Sequence, residues 1–447
     1  MDGKAVIDEH ASDLVARIGA LPRSASFQSI VLNPDFQPLR LLADPAAGGV
    51  VASYERPDRG LALVGIGSAD RVEVAPGRGP ASIRDDARRL LERPLAGDAP
   101  GVRPRLLGGF RFNPAAETGE PWGAFGAGWL LLPRVLFVLD GESTAVVIAP
   151  DVDPREAARA AERTLGREAP SNGATLEVER PMNRSRWLDS VARIAAQVRE
   201  GAYEKAVLAS TQRLAADHPI SVGAALARLR ENYPNCHLFT MTADDATFLG
   251  ASPELLVSLT DGRVHALGLA GSLARGETPE DDERLGAELL ASAKDRIEHE
   301  SVVRAIRERL APVTDELHAP NAPRLRKLRN IQHLSTDITG HVRPGVDVLD
   351  LVQRLHPTPA VCGWPTEVAR EVIQDHEDFD RGWYAGPVGW MDATGDGEFA
   401  VGLRSAVVRG SHAWLFAGNG IMGDSDPESE LAEVQWKFRP LGEALGT

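Results

Sequence analysis

HLFTMTADDATFLGASPELLVSLTDGRVHALGLAG, residues 237–271, carries four strand-like runs in succession, HLFTM, FLGAS, ELLVSL and VHALGLAG, with no helical stretch between them. Strands that arrive in a run, rather than alternating strictly with helices, favour an α+β fold with antiparallel sheets over a doubly wound one. Just before this block stand strand-like AVLAS at 206–210 and a helical ALARLREN. After it, helical patterns are expected at roughly 279–312 and 365–375, strands at VGW, EFAVGLRSAVVR and AWLFAG, and a last helix from Glu428. Toward the N-terminus, up to about Val178, short apolar runs cut by Gly and Pro read as strands, with a helix near 153–166. Turn-rich REAPSNGATLEVERPMNRS at 167–185 joins the two regions, and Ser185 is placed to cap a helix carrying Leu188, Val191, Ile194, Ala195 and Val198 at helical spacing. The expected division is an N-terminal portion, 1–180, and a catalytic core, 181–447, intertwined in one domain.

Composition narrows the function. The chain has 447 residues, 43% hydrophobic, and a net charge of −15, so it can bury a large core but offers no basic field to nucleic acid. Its start lacks a secretory pattern, and its most apolar run, Trp129 to Leu139, is interrupted by Pro133 and Arg134. A cytoplasmic protein without a membrane partner is expected. Cys236 and Cys362 are the only cysteines and lack zinc-like spacing.

Two acid pairs stand out. Asp295 and Glu298 lie three apart, in a row that continues to Val302 and Ile306; Glu430 and Glu433 repeat the spacing in a row that runs to Lys437 and Leu441. Carboxylates that share an apolar face need a cation, and a carboxylate-only set suits Mg²⁺ better than Zn²⁺. Two solvated helix faces balanced by Arg296, Arg304 or Lys437 give the same spacing, so the pattern alone leaves both readings open. GNGIMG at 418–423 fits GxGxxG after a strand, yet DSDP does not start a helix at once and the short remaining chain has no room for a dinucleotide fold.

Read together, GASPELLVSL (250–259), LAGS (269–272), KDRIEHE (294–300), LHPTPAVCGWP (355–365), FDRGWYAGPVGW (379–390), VGLRSAVV (401–408) and FAGNGIMGDSDPESELAEVQWK (416–437) resemble, in this order, the chorismate-utilising enzymes. LGGFRFNP, PWGAF and LLPR within 107–134 look like that family's N-terminal portion. The resemblance implies one large α+β domain of antiparallel β-sheets sandwiched and wrapped by helices. Lys205 matches the base of the isochorismate and salicylate synthases, which add water where anthranilate-type members add ammonia. Glu254 matches the general acid. Water addition at C2 of chorismate with loss of the C4 hydroxyl needs both: a lysine whose pKa is lowered and a glutamic acid kept protonated.

The same resemblance assigns Mg²⁺ to Glu298 and Glu433, with Asp295 and Glu430 in support, and a substrate carboxylate to Arg404 and Lys437. Backbone at Gly418 and Gly420, together with Gly271 and Ser272, is expected against other substrate oxygens, and His333 beside the substrate. Salicylate synthases, which go on to eliminate pyruvate, typically carry Thr at the positions of Ala360 and Ser272, so this chain is expected to stop at isochorismate. Tyr384 and Leu403 suit either activity, so a salicylate synthase, forming isochorismate and then eliminating pyruvate, is the alternative reading. Two departures remain: Ser210 stands where the family usually has Arg, and Asn419 where it usually has Ala. They motivate an alternative, a relative that binds without turnover. With water as nucleophile no amidotransferase subunit is expected, and the chain is expected to be a monomer or weak homo-oligomer serving siderophore or menaquinone biosynthesis.

Overall fold

The computed structural model describes residues 3–32, 49–99, 101–141, 143–165, 174–329 and 331–446. Part of the expected join at 167–185 lies outside the described residues. The strands that build the site are β1 (Val50–Arg56), β2 (Arg105–Phe110), β3 (Lys205–Ala216), β4 (His237–Ala243), β5 (Ala246–Ser252), β6 (Leu255–Thr260), β7 (Arg263–Ala274), β8 (Ile331–Val342), β9 (Pro387–Asp392), β10 (Gly397–Val401), β11 (Ser405–Arg409) and β12 (His412–Ile421). The helices around it are α1 (Arg184–Arg199), α2 (Pro279–Ala291), α3 (Ala293–Leu310), α4 (Thr366–His376) and α5 (Pro427–Leu445).

The fold is α+β, and the strands are overwhelmingly antiparallel; Phe27–Val31 beside Leu95–Gly97 is a parallel exception. Hydrogen bonding follows two ladders. One runs β1, β4, β5, β11, β12, β3. The other runs β2, β9, β10, β6, β7, β8. Each ladder begins with a strand from the first 180 residues, so chain from both regions shares the same pairing. Packing does likewise: Trp122 stacks on Phe416 at 5.3 Å between ring centroids and meets Phe248 edge-on at 5.1 Å. Strands such as β5 are buried along their whole length because both faces are covered, which is why they read as continuous apolar runs.

Two short connections carry the chain from one ladder to the other. Between β5 and β6 it passes through Pro253 and Glu254; between β10 and β11 it passes through Gly402, Leu403 and Arg404. EFAVGLRSAVVR is therefore two strands, and Arg404 is not on a strand. It sits at the crossing with a left-handed backbone, φ 46°, a conformation costing a non-glycine residue about 1 kcal/mol or more. The crossings are tied together: Val401 N–H donates to the Glu254 carbonyl at 3.0 Å, and Ala251 N–H to the Arg404 carbonyl at 3.1 Å.

Two expectations about helices need correction. The 279–312 stretch is α2 and α3, broken at Ser292, whose hydroxyl caps α3 by accepting from Asp295 N–H. Asn183, not Ser185, caps α1: its side chain accepts from Arg186 N–H at 3.1 Å. Helices Gly3–Gly19 and Arg84–Leu91 were not anticipated. Among the described residues no helix is long and apolar enough to cross a membrane.

Candidate active site

The start of β3, the end of β12, both ladder crossings and the first turns of α3 and α5 open on one cavity of about 320 Å³. Every candidate residue lines it: Lys205, Glu254, Gly271, Ser272, Asp295, Glu298, His333, Ala360, Tyr384, Leu403, Arg404, Gly418, Gly420, Glu430, Glu433 and Lys437. They come from distant parts of the sequence, and the ladder registers bring them together. β3 and β12 pair Val207 with Gly420 and Ala209 with Gly418, so the glycines of GNGIMG lie beside the lysine's strand. β7 and β8 pair Ser272 with His333, next to a bulge at Gly271.

Two glycines make the close packing possible. Gly271 has φ 73°, and a Cβ there would stand 3.0 Å from Cβ of Asp295. A Cβ at Gly420 would stand 2.8 Å from Lys205 Nζ and 3.2 Å from Glu298 Oε1.

Lys205 is 3% exposed, and its Nζ donates to Glu298 Oε1 at 2.5 Å. Glu254 is 4% exposed. Burial pushes its carboxyl up to about 8, against the opposing pull of the Lys205 charge. The cavity thus holds an acid that is largely protonated at neutral pH and an ion-paired amine. His333 Nδ1 shares a hydrogen bond with Ser272 Oγ at 2.8 Å, and burial, then the Arg404 and Lys437 charges, lower its pKa well below the ordinary value, so it is neutral. Burial also lowers Arg404, and its Nη1 is sealed from solvent without a hydrogen-bond partner. A buried guanidinium donor left unmatched is costly unless a ligand acceptor meets it.

The four acids are engaged in different ways. Asp295 accepts from the Ser292 hydroxyl. Glu298 meets Lys205, and Glu433 meets Lys437 at 2.8 Å, which lowers its pKa. Burial raises Glu430, whose oxygens accept from Ser425 Oγ at 2.7 Å and Asn419 Nδ2 at 2.9 Å. Among the described residues no three acids, histidines or cysteines stand as a ready-made metal cluster. The donors still fit a hard cation, since carboxylates of α3 and α5 open on the same cavity and lysines supply positive charge among them.

Lys437 departs from expectation in one respect. Its Nζ donates to Gly418 O, Asn419 Oδ1 and Glu433 Oε1, at 2.9, 2.9 and 2.8 Å. An ammonium has three protons, so none is left for a substrate carboxylate in this arrangement. Arg404 is the freer cation.

Sequence reasoning missed several lining residues, including Pro253, Lys294, Arg381 and Met422. Arg381 matters most. It pairs with buried Glu377 at 2.5 Å and donates to Val207 O at 2.7 Å and Val361 O at 2.9 Å, while Glu377 accepts from Ala209 N–H at 2.7 Å. This ion pair fastens the lysine's strand to the segment bearing Ala360. FDRGWYAGP, already singled out, contains Arg381, and an Arg in a motif otherwise rich in aromatics and glycine was the available signal.

The family described as "Chorismate binding enzyme" matches residues 22–446. The chain is 37% identical over 354 residues to "Isochorismate synthase MenF" of Bacillus subtilis (strain 168), covering 77% of this chain and 75% of that protein. It is 40% identical over 373 residues to "Salicylate biosynthesis isochorismate synthase" of Pseudomonas aeruginosa, covering 80% and 76%. Among solved structures it superposes on the menaquinone-specific isochorismate synthase of Escherichia coli with a TM-score of 0.82 at 27% identity, over 98% of this chain and 99% of that one. Anthranilate synthase component I of Streptococcus pneumoniae, at TM-score 0.70 and 20% identity, shares the fold. With the profile spanning nearly its whole length and named synthases aligned over three quarters of it, the chain belongs to the chorismate binding enzyme family, in its isochorismate synthase branch.

Proposed function

We propose that the chain converts chorismate to isochorismate in a Mg²⁺-dependent, redox-neutral exchange of hydroxyls. The supporting observation is that one cavity holds Glu254, whose carboxyl burial holds at about 8, together with Lys205, a buried amine presented from β3. In the reaction, a water oxygen bonds to C2 while its proton passes to the neutral Lys205 amine. The ring double bond shifts, the C4–oxygen bond breaks, and Glu254 gives its proton to the departing oxygen, which leaves as water. Lys205 must give up its pairing with Glu298 to act as the base.

Arg404 Nη1 is the group we assign to a substrate carboxylate, with Gly418 and Gly420 backbone nearby. His333 is kept neutral and fixed by Ser272, so it serves as a hydrogen-bonding group and not as a charge. Glu298 and Glu433 would hold Mg²⁺, with Asp295 and Glu430 behind them. When bound, the ion supplies positive charge that attracts the substrate's other carboxylate. Ala360 and Ser272 favour release of isochorismate over onward elimination of pyruvate. We assign no amidotransferase subunit, a monomeric or weakly self-associating chain, and a cytoplasmic location.

Incubation with chorismate and Mg²⁺, followed by chromatography, tests the reading. Isochorismate as the main product supports it. Salicylate with pyruvate, or a product formed only with ammonia, overturns it.

A further inference from the structure

We infer that Asn419 is a positioning residue, one amide that fixes both Glu430 and Lys437 of α5 where they line the cavity. The inference rests on the functional reading above and adds a residue that the family pattern does not provide. Asn419 lies on β12, 2% exposed, and spends its whole side chain on α5. Nδ2 donates to the Glu430 carbonyl at 2.8 Å and to Glu430 Oε2 at 2.9 Å, and Oδ1 accepts from Lys437 Nζ at 2.9 Å. The orientation of the amide follows from its partners, because an ammonium only donates and a carboxylate only accepts.

The consequences for the two charged groups differ. Glu430 already accepts from Ser425 Oγ at 2.7 Å, so Asn419 completes a cradle that occupies both of its oxygens. Held this way, Glu430 is oriented as an outer support and is kept from turning freely toward an ion. Lys437 has its third proton taken by Asn419, after Gly418 O and Glu433 Oε1. Its charge is thereby pinned beside Glu433 instead of swinging into the cavity, and direct contact with the substrate falls to Arg404. An alanine at 419 has neither contact. It leaves a buried carboxylate oxygen and an ammonium proton unmatched, and both side chains gain freedom next to the site.

Two substitutions separate the halves of this role. Asn419→Ala removes both contacts, whereas Asn419→Asp keeps the acceptor for Lys437 and replaces the donor to Glu430 by a like charge. Mn²⁺ affinity is measured by calorimetry without substrate, chorismate KM and kcat at saturating Mg²⁺, and melting temperature alongside. For Asn419→Ala we expect Mn²⁺ affinity to fall about tenfold, the usual size for loss of a group that orients a ligand, with KM raised several-fold. For Asn419→Asp we expect the same loss of Mn²⁺ affinity with KM within about twofold of the parent. Unchanged Mn²⁺ affinity and KM in Asn419→Ala overturn the inference, as do losses that only follow the melting temperature equally in both variants. If Asn419→Ala does not fold, Ser425→Ala tests the Glu430 cradle: weaker Mn²⁺ binding supports it and parental binding overturns it. A parent that binds Mn²⁺ but leaves chorismate unchanged would sink the functional reading while the Mn²⁺ comparison still judges Asn419.

Discussion

The two acid pairs share the same three-residue spacing but live in different surroundings. On α3, Asp295 and Glu298 begin the helix, and the cation that meets Glu298 comes from Lys205, 93 residues away. On α5, Glu433 is met by Lys437 one turn along its own helix, and Glu430 is enclosed by neighbours from the preceding strand and loop. The first pair is tied to the group assigned as base; the second is stabilised locally. Equal spacing in sequence therefore does not mean equal roles, because what decides a carboxylate's behaviour is which charge faces it and how that charge is held.

The largest effect expected from this contrast is in the cations. Lys205→Gln should lower kcat by about 10²- to 10⁴-fold, the range for loss of a general base. Lys437→Gln should act mainly on KM, several-fold. Steady-state kinetics on both variants would break the contrast if Lys437→Gln cost more kcat than Lys205→Gln. Next comes Glu254, which completes the Lys205 side. Its raised pKa means that the proton needed by the leaving oxygen is present below about pH 8 and lost above it, so the rate should fall on the alkaline side. Glu254→Gln should cost about 10²-fold or more in kcat and lose that alkaline limb. A limb that persists unchanged would assign it to another group.

A smaller effect should separate the acids themselves. Glu433→Gln should weaken Mn²⁺ binding about tenfold more than Glu430→Gln, since Glu433 has only Lys437 to release while Glu430 is cradled; calorimetry giving the reverse order would exchange their roles. The smallest effect belongs to the cap that starts α3. Ser292→Ala should cost about 1 kcal/mol, read as a lower urea midpoint.

Much of this was legible in the sequence. The strand runs of 237–271 and the order of the motifs gave the α+β architecture, and the candidate residues open on one cavity. What escaped detection depends on contacts between distant residues. Nothing local in EFAVGLRSAVVR announces that the chain changes ladder at Gly402–Arg404, because the break is set by which strands lie alongside. Ser292 inside a long helical pattern reads as an ordinary surface residue until its hydroxyl is seen to cap α3. Arg84–Leu91 spans only eight residues, about two turns, so its apolar positions are too few to stand out. Asn419 was visible as a departure, but its partners Glu430 and Lys437 were not.

Gly420 bears on how such a chain can change over time. The atoms that a Cβ at this position would strike belong to the end of Lys205 and to Glu298, flexible groups and not backbone. A replacement there need not harm folding; it evicts the amine. A side chain at 420 is therefore expected to show first in turnover, through the loss of the Lys205–Glu298 pairing. The adjacent position 419 turns its side chain to α5 instead, so a change there reaches the cavity only through Glu430 and Lys437.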